Sequence, residues 1–474
     1  MTNTPRAVLR RDTPFVSSVS WTGPYRLDPG VLHAGEDVAV DRASIAALDG
    51  LPFAAEAVRA VGGNMLAPAW TPDFHRSGSV PVGSVLPVSG AVMPWAVGGD
   101  IGCAMALAVL DVTREEFDAA RPRLRPLLRH AFYEGGRDLP TDARAREAIL
   151  REGTYGLRAA LGLGGLLDNV TEEDLLAHAL SSDMPVMPTR GVGPFGDFVR
   201  GAGGVSRDSQ TGSLSGGNHF LEFGYVASRE CGATCHANGL VAGQLTILAH
   251  NGSVGFGTAV GLRHGDAARR DLPRSLSSEC RSMPAIPLNG AGEDYLSDMG
   301  LAANFAATNR TVLLLMARRC LSEALERPVA LRPLLDAPHN MAWRDGDLVL
   351  HRKGAAPAPR GGLVTVPGSS GTATLLFEGL GLSSSWASAP HGAGRSVTRS
   401  LARRDEEAPR REGEVLSPVD LGMLRPDIAA GLRAAMREEA PSRYKDVEAI
   451  GRTVEGAGMG RRIGSLLPLM TLKR

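Results

Sequence analysis

The chain has 474 residues, and its 51 lysines and arginines are balanced by 51 aspartates and glutamates. That length gives room for a substantial core, and the balance excludes a generally basic nucleic-acid coat, so any attraction for phosphate must come from a local cluster. Five cysteines, far apart except for Cys231 and Cys235, speak against a disulfide framework; with no apolar leader and no long apolar run, a cytoplasmic chain without membrane spans is expected.

Residues 1 to 60 read as a lead-in with small elements, a helix starting within Val38 to Leu48. Val61 to Leu110 has the glycine, proline and β-branched texture of strands joined by functional loops, with Val80 to Val88 as one strand. Between Val112 and Leu180 arginine, glutamate, alanine and leucine take over. Helical spacing covers Arg144 to Leu150 and Glu172 to Leu180, the latter capped by Thr171. Residues 112–180 therefore read as a helical insertion. The glycine-rich stretch Met187 to Gly217 leads into a strand at Asn218 to Phe223, and Leu245 to His250 forms another. Gly300 to Glu326 is the clearest helix, with a wide apolar face. Asp347 to His351 and Leu363 to Val366 read as strands. Pro367 to Gly371 reads as a turn with several free amides that suits an anion, and Arg399 to Glu414 as a solvated charged segment.

Chemistry concentrates around Val97-Gly98-Gly99-Asp100-Ile101-Gly102-Cys103, where glycines let a carboxylate and a thiol turn inward together as a metal corner. The plainer alternative is a turn cap beside a buried small hydrophobe. Five histidine motifs accompany it: Asn218-His219, His250-Asn251-Gly252-Ser253, His339-Asn340, His351-Arg352-Lys353-Gly354 and His391-Gly392-Ala393-Gly394-Arg395. Any one alone reads as a hydrogen-bonded core or surface histidine. Together with Cys103 and Asp100 they suit a borderline transition ion such as manganese, zinc, iron or cobalt. His391, between Pro390 and a Gly-Ala-Gly stretch ending in Arg395, suits a nucleophile beside phosphate-binding amides, the alternative being a structural loop. Cys231, Cys235 and His236 lack a second ligand pair and are set aside as a zinc site, and His130, His178 and His264 read as solvated.

In chain order the motifs resemble those of the RtcB-type RNA-splicing ligases over nearly the full length. The resemblance is carried by Pro72-Asp73-Phe74-His75, Gly99-Asp100-Ile101-Gly102-Cys103, Gly216-Gly217-Asn218-His219-Phe220 with Glu222, and His250 with Gly252-Ser253. It continues through Asn309-Arg310, His339-Asn340, His351-Arg352-Lys353-Gly354-Ala355, Pro367-Gly368-Ser369, His391 to Arg395, Tyr444-Lys445-Asp446 and Lys473. It implies a mixed α/β catalytic unit spanning 1–474, with several sheets surrounded by helices and a central metal-containing cleft. Two manganese ions are implied, one held by Asp100, Cys103 and His219, the other by Cys103, His250 and His339, with the thiolate shared. His391 matches the histidine that becomes guanylylated. The GTP site would comprise Asn218, His219, Phe220, Leu221, Glu222, His339, Asn340, Pro367, Gly368, Ser369, Ser370, Thr374, His391, Gly392, Ala393, Gly394 and Lys473, with Glu222 and Lys473 on the base. The implied reaction joins RNA 3′-phosphate or 2′,3′-cyclic phosphate ends to 5′-hydroxyl ends through a histidine-GMP intermediate, in tRNA splicing or RNA repair, by a monomer.

The chain departs from the family pattern at several places. Asn251 and Val254 stand where serine and arginine are usual, and Ala356-Pro357 where Thr-Arg is usual. Ser370 replaces methionine, Thr374 serine, and Ala104 and Ser215 glycine. Loss of two arginines leaves the implied metal and nucleotide residues intact and points to a diverged branch with a narrower RNA substrate. Two other function classes are open at this level: a dinuclear metallohydrolase cleaving phosphoesters without GTP, and a non-catalytic nucleotide- or RNA-binding descendant.

Overall fold

The computed structural model describes residues 4–78, 80–182, 186–200, 206–207, 210–396, 414–416 and 440–473. The architecture is mixed α/β, with two eight-stranded sheets at its centre and helices around them. The charged stretch Arg399 to Glu414 lies outside the described residues apart from Glu414, which begins a three-residue strand, Glu414–Leu416.

The second sheet sets up the site. Its strands run in the order Leu331–Pro338, Ala104–Thr113, Gln244–Asn251, Phe220–Arg229, Gly460–Leu472, Thr374–Gly379 and Leu363–Pro367, each neighbour antiparallel to the last. In an antiparallel sheet the end of one strand lies beside the start of the next. The register makes this concrete: Pro338 faces Ala104, Ala104 faces Asn251, His250 faces Phe220, and Leu221 faces Leu472. His339, Cys103, His250, His219 and Lys473 therefore sit side by side at one end of the sheet, although far apart in sequence.

At His339 the chain leaves this sheet for the first one, whose strands Asn340–Asp345, Leu348–Lys353, Val82–Ser89 and Ala69–His75 are consecutive neighbours. Backbone hydrogen bonds fasten the crossing. His339 N–H donates to Cys103 O at 2.9 Å and Gly102 N–H to Asn340 O at 2.9 Å. Main-chain hydrogen bonds thus join the two sheets where the chain crosses, with the backbone groups satisfied at the crossing.

Helices cover the outer faces. The Arg114–Tyr133 helix starts on a capping box between Thr113 and Glu116 and buries Phe117, Leu124 and Leu128 against the second sheet. Residues 112–180 also hold the Ala143–Glu152 and Glu172–Leu180 helices, with Thr171 and Asp174 forming the capping box of the latter. The longest helix, Gly290–Leu325, begins ten residues before the expected Gly300. Gly290, Gly292, Glu293 and Asp294 give no apolar stripe to announce its start. From Tyr295 to Ala317 it is buried on every side, so periodicity could not mark its boundary either. Glu326, with φ 56°, ends it in the left-handed conformation.

Two histidines read as solvated prove to be buried. His178 turns inward from its helix, and burial pulls its pKa down to about 4. His264 pairs with Asp298 of the long helix at 2.7 Å. His178 lies in the helical run Leu175 to Leu180 and His264 in more polar sequence, and tertiary packing decides which side of each helix is covered. No helix among the described residues is long and apolar enough to cross a membrane.

Candidate active site

This end of the sheet opens into a cavity of about 1020 Å³. At its base Asp100, Cys103, His219, His250 and His339 converge. Cys103 Sγ lies 3.3 Å from His219 Nε2 and 3.2 Å from His250 Nε2, while His250 Nε2 is 3.3 Å from His339 Nε2. Asp100 Oδ2 lies 2.8 Å from His219 Nε2. The sulfur thus touches both His219 and His250, Asp100 joins through His219, and His339 joins through His250. Among the described residues, Cys103, His219 and His250 form the one cluster of such donors compact enough to hold an ion.

The donors fit a cation by hydrogen-bond accounting. His250 Nδ1 faces the Asn218 carbonyl at 3.1 Å, an acceptor only, so Nδ1 carries the proton and Nε2 turns a lone pair toward Cys103 and His339. His339 Nδ1 is buried without a partner. Burial, reinforced by neighbouring His219 and His391, holds His250 well below the usual histidine pKa, and burial with His391 and His250 does the same to His339. Neutral imidazoles with lone pairs meeting a thiol are what a soft or borderline metal ion requires. Burial raises the Cys103 thiol well above its ordinary value, with the Asp100 charge adding to it, and a bound cation reverses that shift.

The corner is held from behind by the long helix. Arg310, fully buried, makes a bidentate pair with Asp336 at 2.6 and 3.0 Å, and its Nη1 donates to Gly102 O at 2.7 Å and Asn251 O at 2.9 Å. Asn309 Nδ2 donates to Gly252 O at 3.0 Å. At Gly252 an added Cβ would stand 2.2 Å from Asp100 Oδ1, so only glycine lets the two turns meet.

His391 follows the short strand Ser388–Pro390, which pairs with Ala355–Pro357. Its Nδ1 lies 2.6 Å from Asp73 Oδ2 and 2.9 Å from Gly354 O, both acceptors, which assigns the proton to Nδ1 and leaves the Nε2 lone pair for chemistry. The ring centroid is 4.4 Å from that of His339. Asp73 is wholly buried, and Lys445 Nζ donates to the carbonyls on either side of it, Pro72 O at 3.1 Å and Phe74 O at 2.7 Å. Gly394, with φ 74°, packs against the Asp73 main chain, where a Cβ would meet Asp73 O at 2.3 Å. In the sequence Asp73 and Lys445 stand out only as parts of motifs.

Most of the residues assigned to a nucleotide by resemblance line the same cavity: Asn218, His219, Phe220, Glu222, His339, Asn340, Pro367 to Ser370, Thr374, His391 to Gly394 and Lys473. Leu221 does not. Strand alternation turns Phe220 and Glu222 to the cavity and sends the Leu221 side chain into the core behind the sheet. Glu222 accepts a hydrogen bond from Thr471 Oγ1 at 2.6 Å, and burial raises its pKa to about 7, with Thr471 and Lys473 pulling the other way. In the Pro367 to Gly371 turn, expected to offer several free amides, those of Gly368 and Ser369 are used internally, on Ala373 O and Thr372 Oγ1. His351 stands apart from the other motif histidines: it accepts from Met93 N–H at 2.9 Å and donates to Leu86 O at 3.0 Å, a satisfied core residue. Cys235 points its thiol at Ile463 O, and Cys231 sits against Thr234.

Residues 55–474 match the family model described as tRNA-splicing ligase RtcB. The chain belongs to the RtcB family. It is 28% identical over 438 residues to the tRNA-splicing ligase RtcB of Aeropyrum pernix, covering 85% of this chain and 87% of the relative. It is 29% identical to the tRNA-splicing ligase RtcB of Thermococcus kodakarensis, covering 85% and 86%. The RNA-splicing ligase RtcB of Mycobacterium tuberculosis is 28% identical, with 85% and 95% covered. The match thus covers the whole second sheet, the first sheet from Asn64 onward and every cavity residue named above.

Proposed function

We propose that the chain is a GTP- and manganese-dependent RNA ligase that joins 3′-phosphate or 2′,3′-cyclic phosphate ends to 5′-hydroxyl ends through guanylylated His391. One observation carries this: a histidine whose Nδ1 is held by Asp73, with Nε2 available, beside a Cys-His-Asp cluster suited to metal. Asp100, Cys103, His219, His250 and His339 would hold two divalent ions, which supply Lewis-acid neutralisation of phosphate oxygens when bound.

His391 Nε2 attacks the α-phosphorus of GTP. The N–P bond forms as the bond to the bridging oxygen breaks, and pyrophosphate leaves with the electron pair. The ring thereby gains a positive charge, which the buried Asp73 carboxylate compensates while its grip on Nδ1–H keeps the tautomer. An oxygen of the RNA 3′-phosphate then attacks the same phosphorus, breaking the N–P bond and returning His391 to its neutral form. The 5′-hydroxyl finally attacks the activated 3′-phosphorus, losing its proton and expelling GMP. A cyclic phosphate end is opened by water beforehand. Glu222 and Lys473 hold the guanine, the carboxylate accepting from its N1–H and 2-amino group.

Incubation with α-labelled GTP and manganese, followed by denaturing electrophoresis, tests the scheme. Label is expected on the wild type and absent from His391→Ala. A wild type that turns over phosphoesters without GTP and takes no label would replace the ligase with a metallohydrolase.

A further inference from the structure

Two of the positions at which the sequence departs from the family pattern, Ser215 and Asn251, meet each other and one of the candidate metal ligands. Ser215 Oγ contacts His219 Nδ1 and lies 3.0 Å from Asn251 Oδ1. Asn251 in turn donates from Nδ2 to Ser213 O at 2.8 Å and accepts from Gly252 N–H at 3.0 Å through Oδ1.

Donor and acceptor capacity leaves one arrangement. Ser213 O can only accept and Gly252 N–H can only donate, so the Asn251 amide cannot be flipped: Nδ2 faces the carbonyl and Oδ1 faces the N–H. Oδ1 is then an acceptor for Ser215, whose single hydroxyl proton is committed to it. A hydroxyl that has given away its proton can only accept from its remaining neighbour. His219 Nδ1 must therefore be the donor, and Nε2 is the nitrogen left to face Asp100 Oδ2 at 2.8 Å and Cys103 Sγ at 3.3 Å. The backbone on both sides is anchored: Gly212 N–H donates to Asn309 Oδ1 at 2.6 Å, and Asn251 O accepts from Arg310 at 2.9 Å.

We infer that Ser215 and Asn251 are positioning residues that lock His219 as the Nδ1–H tautomer and thereby aim its Nε2 lone pair at a cation shared with Asp100 and Cys103. The inference rests on the metal site proposed above and adds to it a device supplied by this chain's own side chains. His250 reaches the same tautomer through the carbonyl of Asn218, so the two halves of the cluster are oriented by different means, one by a side-chain relay and one by main chain. Partners of this kind typically change metal affinity by about 10–100-fold when removed.

The test is equilibrium manganese binding to the nucleotide-free protein, followed by electron paramagnetic resonance and calorimetry across pH, with circular dichroism as a check on folding. Ser215 is half-buried in a loop, so Ser215→Ala is expected to fold. The expectation is that Ser215→Ala weakens one of the two manganese sites by about tenfold or more and leaves the other nearly unchanged. Ser215→Thr, which keeps the hydroxyl, should retain most of the affinity, and adding Asn251→Ala to Ser215→Ala should cost little more, because the relay is already cut. Both sites binding normally in Ser215→Ala, or Ser215→Thr losing as much as Ser215→Ala, would overturn the inference while leaving the metal site standing. A wild-type protein that takes up no manganese would overturn both.

Discussion

Proton placement at single residues governs what this site can do. His391 and His250 each have one ring nitrogen tied to an acceptor, which frees the other for phosphorus or metal. Glu222 is a cavity residue that titrates near neutral pH. Burial raises its pKa to about 7, so it is mostly protonated below that pH and mostly ionised above it. A protonated carboxyl offers guanine a donor where guanine also donates, so affinity for GTP should fall as pH drops through 7, approaching tenfold per unit at the acid end. Nucleotide titrations between pH 6 and 8 check this, and Glu222→Gln should flatten the profile along with lowering affinity. Sequence alone made Glu222 a candidate only through a family motif; its protonation behaviour comes from the strand that buries it against Thr471.

Among the elements, the long helix is the one that decides whether the metal corner keeps its shape. Arg310 is buried on the helix and linked to Asp336 and to two carbonyls of the corner. Removing one partner of a buried pair leaves the other uncompensated, so Arg310→Met should destabilise the protein by about 3 kcal/mol or more in denaturant unfolding. Arg123→Met, which breaks the exposed Arg123 to Glu326 contact at 2.7 Å, should change stability by no more than ~0.5 kcal/mol. Strands and capped helices were readable where a local signal existed, as at Thr171 and in the run ending at His250. Signals failed where burial surrounds an element. The long helix shows no contrast between faces, and nothing near His178 or His264 in sequence tells which way those rings point.

Across the whole molecule, the site lies at the seam of two sheets, and the chain crosses between them at His339. A metal held there would tie residues of the second sheet to the strand entry of the first. Binding to the folded state alone stabilises it by about 2.7 kcal/mol when free metal is a hundred times its dissociation constant. A chelator should therefore lower the thermal midpoint, and manganese should restore it. Calcium should not, because sulfur and imidazole donors suit it poorly. Equal melting with chelator, manganese and calcium would remove metal from the account.

The amino-acid sequence by itself determined the chemical inventory. Asp100, Cys103 and the motif histidines each stand among glycines or amides that mark a turn, and turns are local, set by a few neighbouring dihedrals. It also determined the alternation that separates Glu222 from Leu221, although only the position of the sheet says which of the two faces the cavity. Convergence belonged to the tertiary structure. His351 carries the same kind of local signal as His250, yet one is a satisfied core residue and the other faces Cys103, because strand register over more than a hundred residues chooses between them. The role of Asp73 beside His391 and the relay through Ser215 and Asn251 were likewise invisible in one dimension. Each depends on contacts whose distance in space has no counterpart in the spacing of the chain.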